Sequence, residues 1–179
     1  MDKMIIFYED TKQSCRKLAQ ELEQYENIEC RKASDYKEQF MIFARNCRVG
    51  LVFESNEGKI PDVISHIIWR IVADKEESHM IYITGGRREF LALRRAEEDM
   101  QARGYSVKYI YTGYILEKLH LEKNKIPEYI MDSLNYDREN VPAKGKKDYS
   151  KKEIRRKLWQ ERKQYKKYKK NQEHINSCR

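Results

Sequence analysis

Five short stretches of strand-forming residues are spread along the first 112 positions, and the segments between them are polar or amphipathic. Residues 4–8 (M-I-I-F-Y) form an apolar run that stops at Glu9-Asp10-Thr11, where polar side chains suit the start of a helix. Cys15, Leu18, Ala19, Leu22 and Tyr25 then recur at helical spacing, with Lys, Arg, Gln and Glu filling the opposite face. Residues 28–33 are short and partly polar, as befits an edge strand. Ser34-Asp35 opens an expected second, weaker helix running through Phe40, Met41 and Phe43. The run at 49–53 is apolar on both faces, the pattern of a central parallel strand covered on both sides.

Pro61-Asp62 suits a first helical turn, because proline loses no hydrogen bond there and Asp meets the positive end of the dipole. Val63, Ile64, Ile67, Ile68, Ile71 and Val72 give the expected third helix a broad apolar face. Residues 79–84 read as a fourth strand, Gly85-Gly86 as a turn, 88–103 as a helix stopped by Gly104, and 105–112 as an alternating fifth strand. A short helix is expected over 126–134. Strands alternating with helices predict an α/β fold, a five-stranded parallel sheet of order 2-1-3-4-5 with helices on both faces. In such folds ligands bind at the carboxyl ends of the strands, near the switch point between strands 1 and 3. Here those ends are residues 9–14, 54–59, 84–89 and 112–116.

Charge divides the 179 residues unevenly. Fourteen basic and three acidic residues fall within 144–170, a local charge of +11 against +8 for the whole chain, which leaves residues 1–143 at −3. This predicts a mildly acidic domain over 1–135, a polar linker over 136–149 with Pro142 and Gly145, a basic amphipathic helix over 150–172 and a short tail over 173–179. Cys15, Cys30, Cys47 and Cys178 stand at irregular spacings without a C-x-x-C pair, so reduced thiols and a cytoplasmic location are expected. No apolar run approaches the roughly 20 residues of a membrane span. His66, inside an apolar helix pattern, reads as a core or boundary residue because no partner stands at ligand or triad spacing. No metal-ligand spacing appears.

The tail helix carries its own expectation. Ser150-Lys151-Lys152-Glu153 matches a capping box, and Ile154, Leu158, Tyr165 and Tyr168 share one stripe with Trp159 on the other side. The candidate nucleic-acid contacts are Lys151, Lys152, Arg155 and Arg156 in the first half, Arg162, Lys163, Lys166 and Lys167 in the second, and Trp159 between them. Basic charge interleaved with aromatics suits RNA or DNA through residues 144–170. Docking of the helix on the acidic body and, less well, contact with an anionic membrane surface fit the same pattern.

Segment by segment, the chain resembles flavodoxin-like proteins. M-I-I-F-Y-E-D-T-K-Q-S-C-R-K-L-A is similar to their first strand, phosphate loop and helix, and R-V-G-L-V-F-E-S-N-E-G-K-I-P-D-V-I to their third strand, ligand loop and Pro-initiated helix. Y-I-T-G-G and R-G-Y-S-V match the fourth and fifth strands. The nearest likeness, over residues 3–135, is to the flavodoxin part of bacterial flavodoxin-ferredoxin fusion proteins; the ferredoxin cysteine clusters are absent. The resemblance implies noncovalent FMN and electron transfer to a separate redox partner. Its phosphate would lie at Thr11, Lys12, Gln13 and Ser14, and its ring between Ser55-Asn56 and Thr84-Gly85-Gly86, with Tyr8, Phe90 and Tyr114 as candidate stacking partners. The loop departs from the family pattern: Lys12 stands where glycine is usual, Gln13 where asparagine is, and Glu9 where a hydroxyl is.

Two further readings come from the same residues. Glu9-Asp10, Glu54 and Thr84 sketch the acidic pocket of a receiver domain, although Glu54 replaces the phosphorylatable Asp and no lysine follows the fifth strand in the expected place. A flavin-free interaction module, acting through the basic helix, is the alternative to electron transfer.

Overall fold

The computed structural model describes residues 3–136 and 150–177. The expected linker lies almost wholly outside the described residues, as do the last two residues of the tail. Five strands form one parallel sheet: β1 (Lys3–Tyr8), β2 (Ile28–Lys32), β4 (Cys47–Ser55), β6 (Ser78–Gly86) and β7 (Ser106–Tyr111), in spatial order β2-β1-β4-β6-β7. Counted along the sheet strands alone this is 2-1-3-4-5. It is the flavodoxin-like three-layer α/β arrangement with an added C-terminal helix.

Burial explains the layers. On one face α1 (Gln13–Leu22) lays Cys15, Leu18 and Leu22 against Met4, Ile6 and Met80, and α5 (Ile126–Tyr136) adds Ile130, Met131 and Leu134. On the other, α2 (Asp62–Arg70) and α3 (Glu89–Ala102) set Ile64, Ile67, Ile68, Phe90 and Leu93 against Ile5, Phe7, Leu51, Phe53 and Ile81. β4, at the centre, is apolar on both faces and buried along most of its length. α4 (Gly113–Lys118) continues directly from β7, with Thr112 capping it: the Ile115 amide donates to the Thr112 hydroxyl at 3.3 Å.

The segment after β2 differs from expectation. In place of a helix over 34–43 there is a 3-10 turn at Ala33–Tyr36 and a three-residue strand, β3 (Ile42–Ala44). β3 pairs in parallel with β5 (Ile71–Ala73), which takes the residues expected to end the third helix. Period-2 burial accounts for this: Ile42 and Ala44 are inside while Met41 and Phe43 face out. Ser34 does not cap a helix, because its amide and hydroxyl both donate to the Asp10 carboxylate, at 3.0 and 2.8 Å. Tyr105 fixes the new strand by donating its hydroxyl to the Ile71 carbonyl at 2.9 Å.

Two histidines are structural. His66 lies within 2.9 Å of the Gln39 carbonyl and fastens this irregular crossover to α2. His79 is fully buried; its Nδ1 accepts from the Val49 amide, so Nε2 donates to the Asp74 carbonyl, and burial lowers its pKa.

α6 (Lys151–Ser177) is a 27-residue helix. It starts as the capping box expects, with the Glu153 amide donating to the Ser150 hydroxyl at 3.2 Å, but the Glu153 side chain turns instead to the body.

Candidate functional site

Four of the expected phosphate and ring contacts converge where β1, β4 and β6 end against α1. Ser14 lies in the first turn of α1, and its hydroxyl donates to Glu54 Oε1 at 2.7 Å and lies 2.9 Å from Thr84 Oγ1. The Thr11 hydroxyl donates to Glu9 Oε1 at 3.3 Å, and the Lys12 ammonium sits 3.6 Å from Glu54 Oε2. Glu9 is itself buried, its second oxygen accepting the Glu54 amide at 3.0 Å. Burial raises the Glu9 pKa against the pull of that hydrogen bond and of Lys12. Asp10 goes the other way: burial opposes ionisation, but the two Ser34 donors outweigh it and hold the carboxyl low. Cys15, whose sulfur is 3.1 Å from Thr84 Oγ1, has its thiol pushed up to about 11 by burial and is a packed residue.

Lys12 needs no glycine-like geometry here, since it adopts an extended conformation (φ −103°) at the N-cap. Gln13 is exposed and outside this network. Ser55 and Asn56 serve a turn. The Ser55 hydroxyl donates to the Arg87 carbonyl and accepts the Gly58 amide at 3.0 Å, while Asn56 and Lys59 exchange backbone hydrogen bonds around Glu57 and Gly58, both at positive φ. Gly85 and Gly86 complete β6. A Cβ on Gly86 would lie 2.2 Å from the Ser55 carbonyl oxygen, so only glycine lets the two strand ends approach.

The donor set does not fit a flavin phosphate. The hydroxyls that would face the anion are given to carboxylates, and those carboxylates would repel it at short range. The loops that would flank the ring hold α6 instead. Glu57, from the loop after β4, accepts the Tyr165 hydroxyl at 2.7 Å and pairs with Lys169 at 3.7 Å. From the turn after β6, the guanidinium of Arg87 lies 3.9 Å from the Tyr168 ring centre and that of Arg88 4.8 Å from Tyr165. Both loops that would hold the ring are thus tied to α6.

α6 is anchored by its acidic residues, a feature with no local signal in the sequence. Glu161 accepts the Phe90 and Leu91 amides at 2.9 and 3.3 Å, capping α3, whose own N-cap residue Arg88 is left-handed (φ 60°) and supplies no side-chain cap. Glu153 accepts the Tyr114 hydroxyl at 2.7 Å and pairs with Lys118 at 3.2 Å. Lys157 stands 3.5 Å above the Tyr114 ring, and Ile154 and Leu158 pack on the core. Between α6 and the start of α3 lies a cavity of about 430 Å³ bordered by Glu89, Phe90, Tyr114, Glu161 and Tyr165. Burial pushes Glu89 up to about 7.

The opposite face of α6 is cationic. Lys152, Arg155, Arg156, Arg162, Lys163, Lys166, Lys167 and Lys170 are all exposed, and Trp159 is 62 % exposed among them. Their steps of three and four residues keep them within about 140° of arc along roughly 27 Å of helix. Lys151 opens the helix.

Comparison of the chain with family models, with curated proteins and with solved structures finds no match. Among the described residues no cluster of His, Cys, Asp or Glu is placed to hold a metal ion, and no helix is long and apolar enough to cross a membrane.

Proposed function

We propose that this protein is a binding module that works without a flavin and engages nucleic acid through the outer face of α6. One observation carries the reading: between 151 and 170 the carboxylates of α6 face the body and most of its cations face outward, Glu173 lying beyond the last of them. Its acidic residues between 151 and 170, Glu153 and Glu161, turn to the body as hydrogen-bond acceptors, while eight exposed cations share the outer stripe with no carboxylate among them. A solubilising helix has no need of this sorting. A stripe of like charges repels itself and is relieved by a polyanion, with release of the counterions condensed on it. Docking on the body and binding of nucleic acid, alternatives at the level of sequence, are compatible because they use opposite faces. The body supplies a platform that keeps the helix formed and the stripe aimed outward.

Neutralising Arg155, Arg162 and Lys166 together to Gln in the full chain should weaken nucleic-acid binding more than a hundredfold at low salt. The slope of log affinity against log salt should fall by about two to three units, at about 0.7 to 0.9 for each phosphate no longer neutralised. The count-matched change of Lys17, Lys37 and Lys75 on the body should leave both nearly unaltered. Equal effects from the two triple variants would make the attraction one of bulk charge and end the proposal.

A further inference from the structure

The outer stripe holds one large side chain that is not a cation, and it stands near the middle. Trp159 follows Arg155 by one turn and precedes Lys163 by one turn, and the Lys163 ammonium lies 5.2 Å from its ring centre. The tyrosines of the same helix, Tyr165 and Tyr168, are half-buried and committed to Arg88 and Arg87. Trp159 is therefore the aromatic that α6 offers outward over 152–170, with most of its surface open to water. Leaving a tryptophan so exposed costs hydrophobic stabilisation that packing against the body would recover.

We propose, resting on the reading of α6 as a nucleic-acid surface, that its ligand is single-stranded and that Trp159 is the platform on which an unpaired base stacks. The cations at 155, 156, 162 and 163 would then hold the phosphates on either side of that base. The geometry favours a single strand over a duplex for a physical reason. In a duplex the base faces are already stacked on one another, and an indole can reach them only by prising a step apart. An unpaired base presents its π-face directly, and stacking on an aromatic tolerates any base identity. The ammonium of Lys163 stands over one face of the ring, which leaves the other face for the base and puts a phosphate partner next to the stack, as the alternation of base and phosphate along one strand requires.

The test uses the full chain with Trp69→Phe, which leaves Trp159 as the one indole reporter. Titration with a uridine oligomer of about 20 nucleotides, and with its thymidine counterpart, should quench the emission saturably. A duplex of the same length should bind with little quenching. In the otherwise natural chain, Trp159→Ala should weaken binding of the single strands about tenfold, leaving duplex affinity and the salt slope unchanged, and Trp159→Phe should restore most of the loss. If Trp159→Ala weakens single strand and duplex alike, or if the oligomers bind without quenching, the stacking assignment is overturned while the cationic face stands. If neither oligomer, duplex nor heparin binds, the nucleic-acid reading falls and the stacking assignment with it.

Discussion

Glu89 shows how a single carboxyl can be used against its own solvation. It opens α3 and accepts the Gly113 amide at 3.2 Å, and burial pushes its pKa up to about 7, with Glu161 and Glu117 adding repulsion. In the unfolded chain its value is near 4.5, so between 4.5 and about 7 the unfolded state releases a proton that the folded state keeps. Stability from this group is complete below 4.5, falls as pH rises through that window and stays lost above it. The most it accounts for is about 3 kcal/mol. Glu89→Gln keeps an acceptor for Gly113 and removes the charge. Urea unfolding should find this variant more stable than the natural protein by about 1 to 3 kcal/mol near pH 8 and almost equal to it near pH 4.5. A difference that does not change with pH would mean that the carboxyl is not held neutral by its site.

At the scale of elements, α6 and α3 depend on one another. The Arg88 N-cap gives α3 no side-chain acceptor, and Glu161, 71 residues beyond Phe90, replaces it. Glu161→Ala should cost about 1 to 2 kcal/mol in denaturant unfolding, the worth of a lost N-terminal cap and of a charge at the dipole's positive end. It should also speed hydrogen exchange along α6 while leaving the central strands protected. Exchange in α6 equal to that of the natural chain would show that the tyrosine–arginine stacks hold the helix without the cap. The sequence discloses these elements unevenly. Strands such as β4 are legible because a continuous apolar run of about five residues, bounded by polar turns, suits a strand covered on both faces. The α6 stripe of Ile154, Leu158, Tyr165 and Tyr168 is legible because its 3.6-residue period is sustained over several turns. The segment 34–43 misleads, since Phe40, Met41 and Phe43 look like a helix face yet lie outside, while the buried residues Ile42 and Ala44 follow the period of a strand. The partners of Ser34 and Ser14 are carboxylates 24 and 40 residues away, set by the tertiary fold, and no local pattern announces such pairings.

For the whole molecule, the fold and the expected chemistry separate. Strand order, helix layers and the position of the crevice all follow the flavodoxin-like plan, and a plan of this kind does not by itself bring a cofactor. What decides is the disposition of a few polar groups at the strand ends. There the chain has put Glu9 and Glu54 beside the hydroxyls of Thr11 and Ser14, and has spent Glu57, Arg87 and Arg88 on seating α6. Seating its own helix on these loops also gives that helix a rigid support. Without docking, a helix of this composition would be marginal in water, and its cations would point in all directions as it frayed. The expected outcome of titrating the purified protein with FMN is accordingly no saturable quenching of flavin fluorescence up to about a millimolar, a binding free energy no better than roughly −4 kcal/mol. Micromolar binding that Thr11→Ala and Ser14→Ala abolish would mean that the carboxylates give way to a phosphate, and would return the crevice to electron transfer.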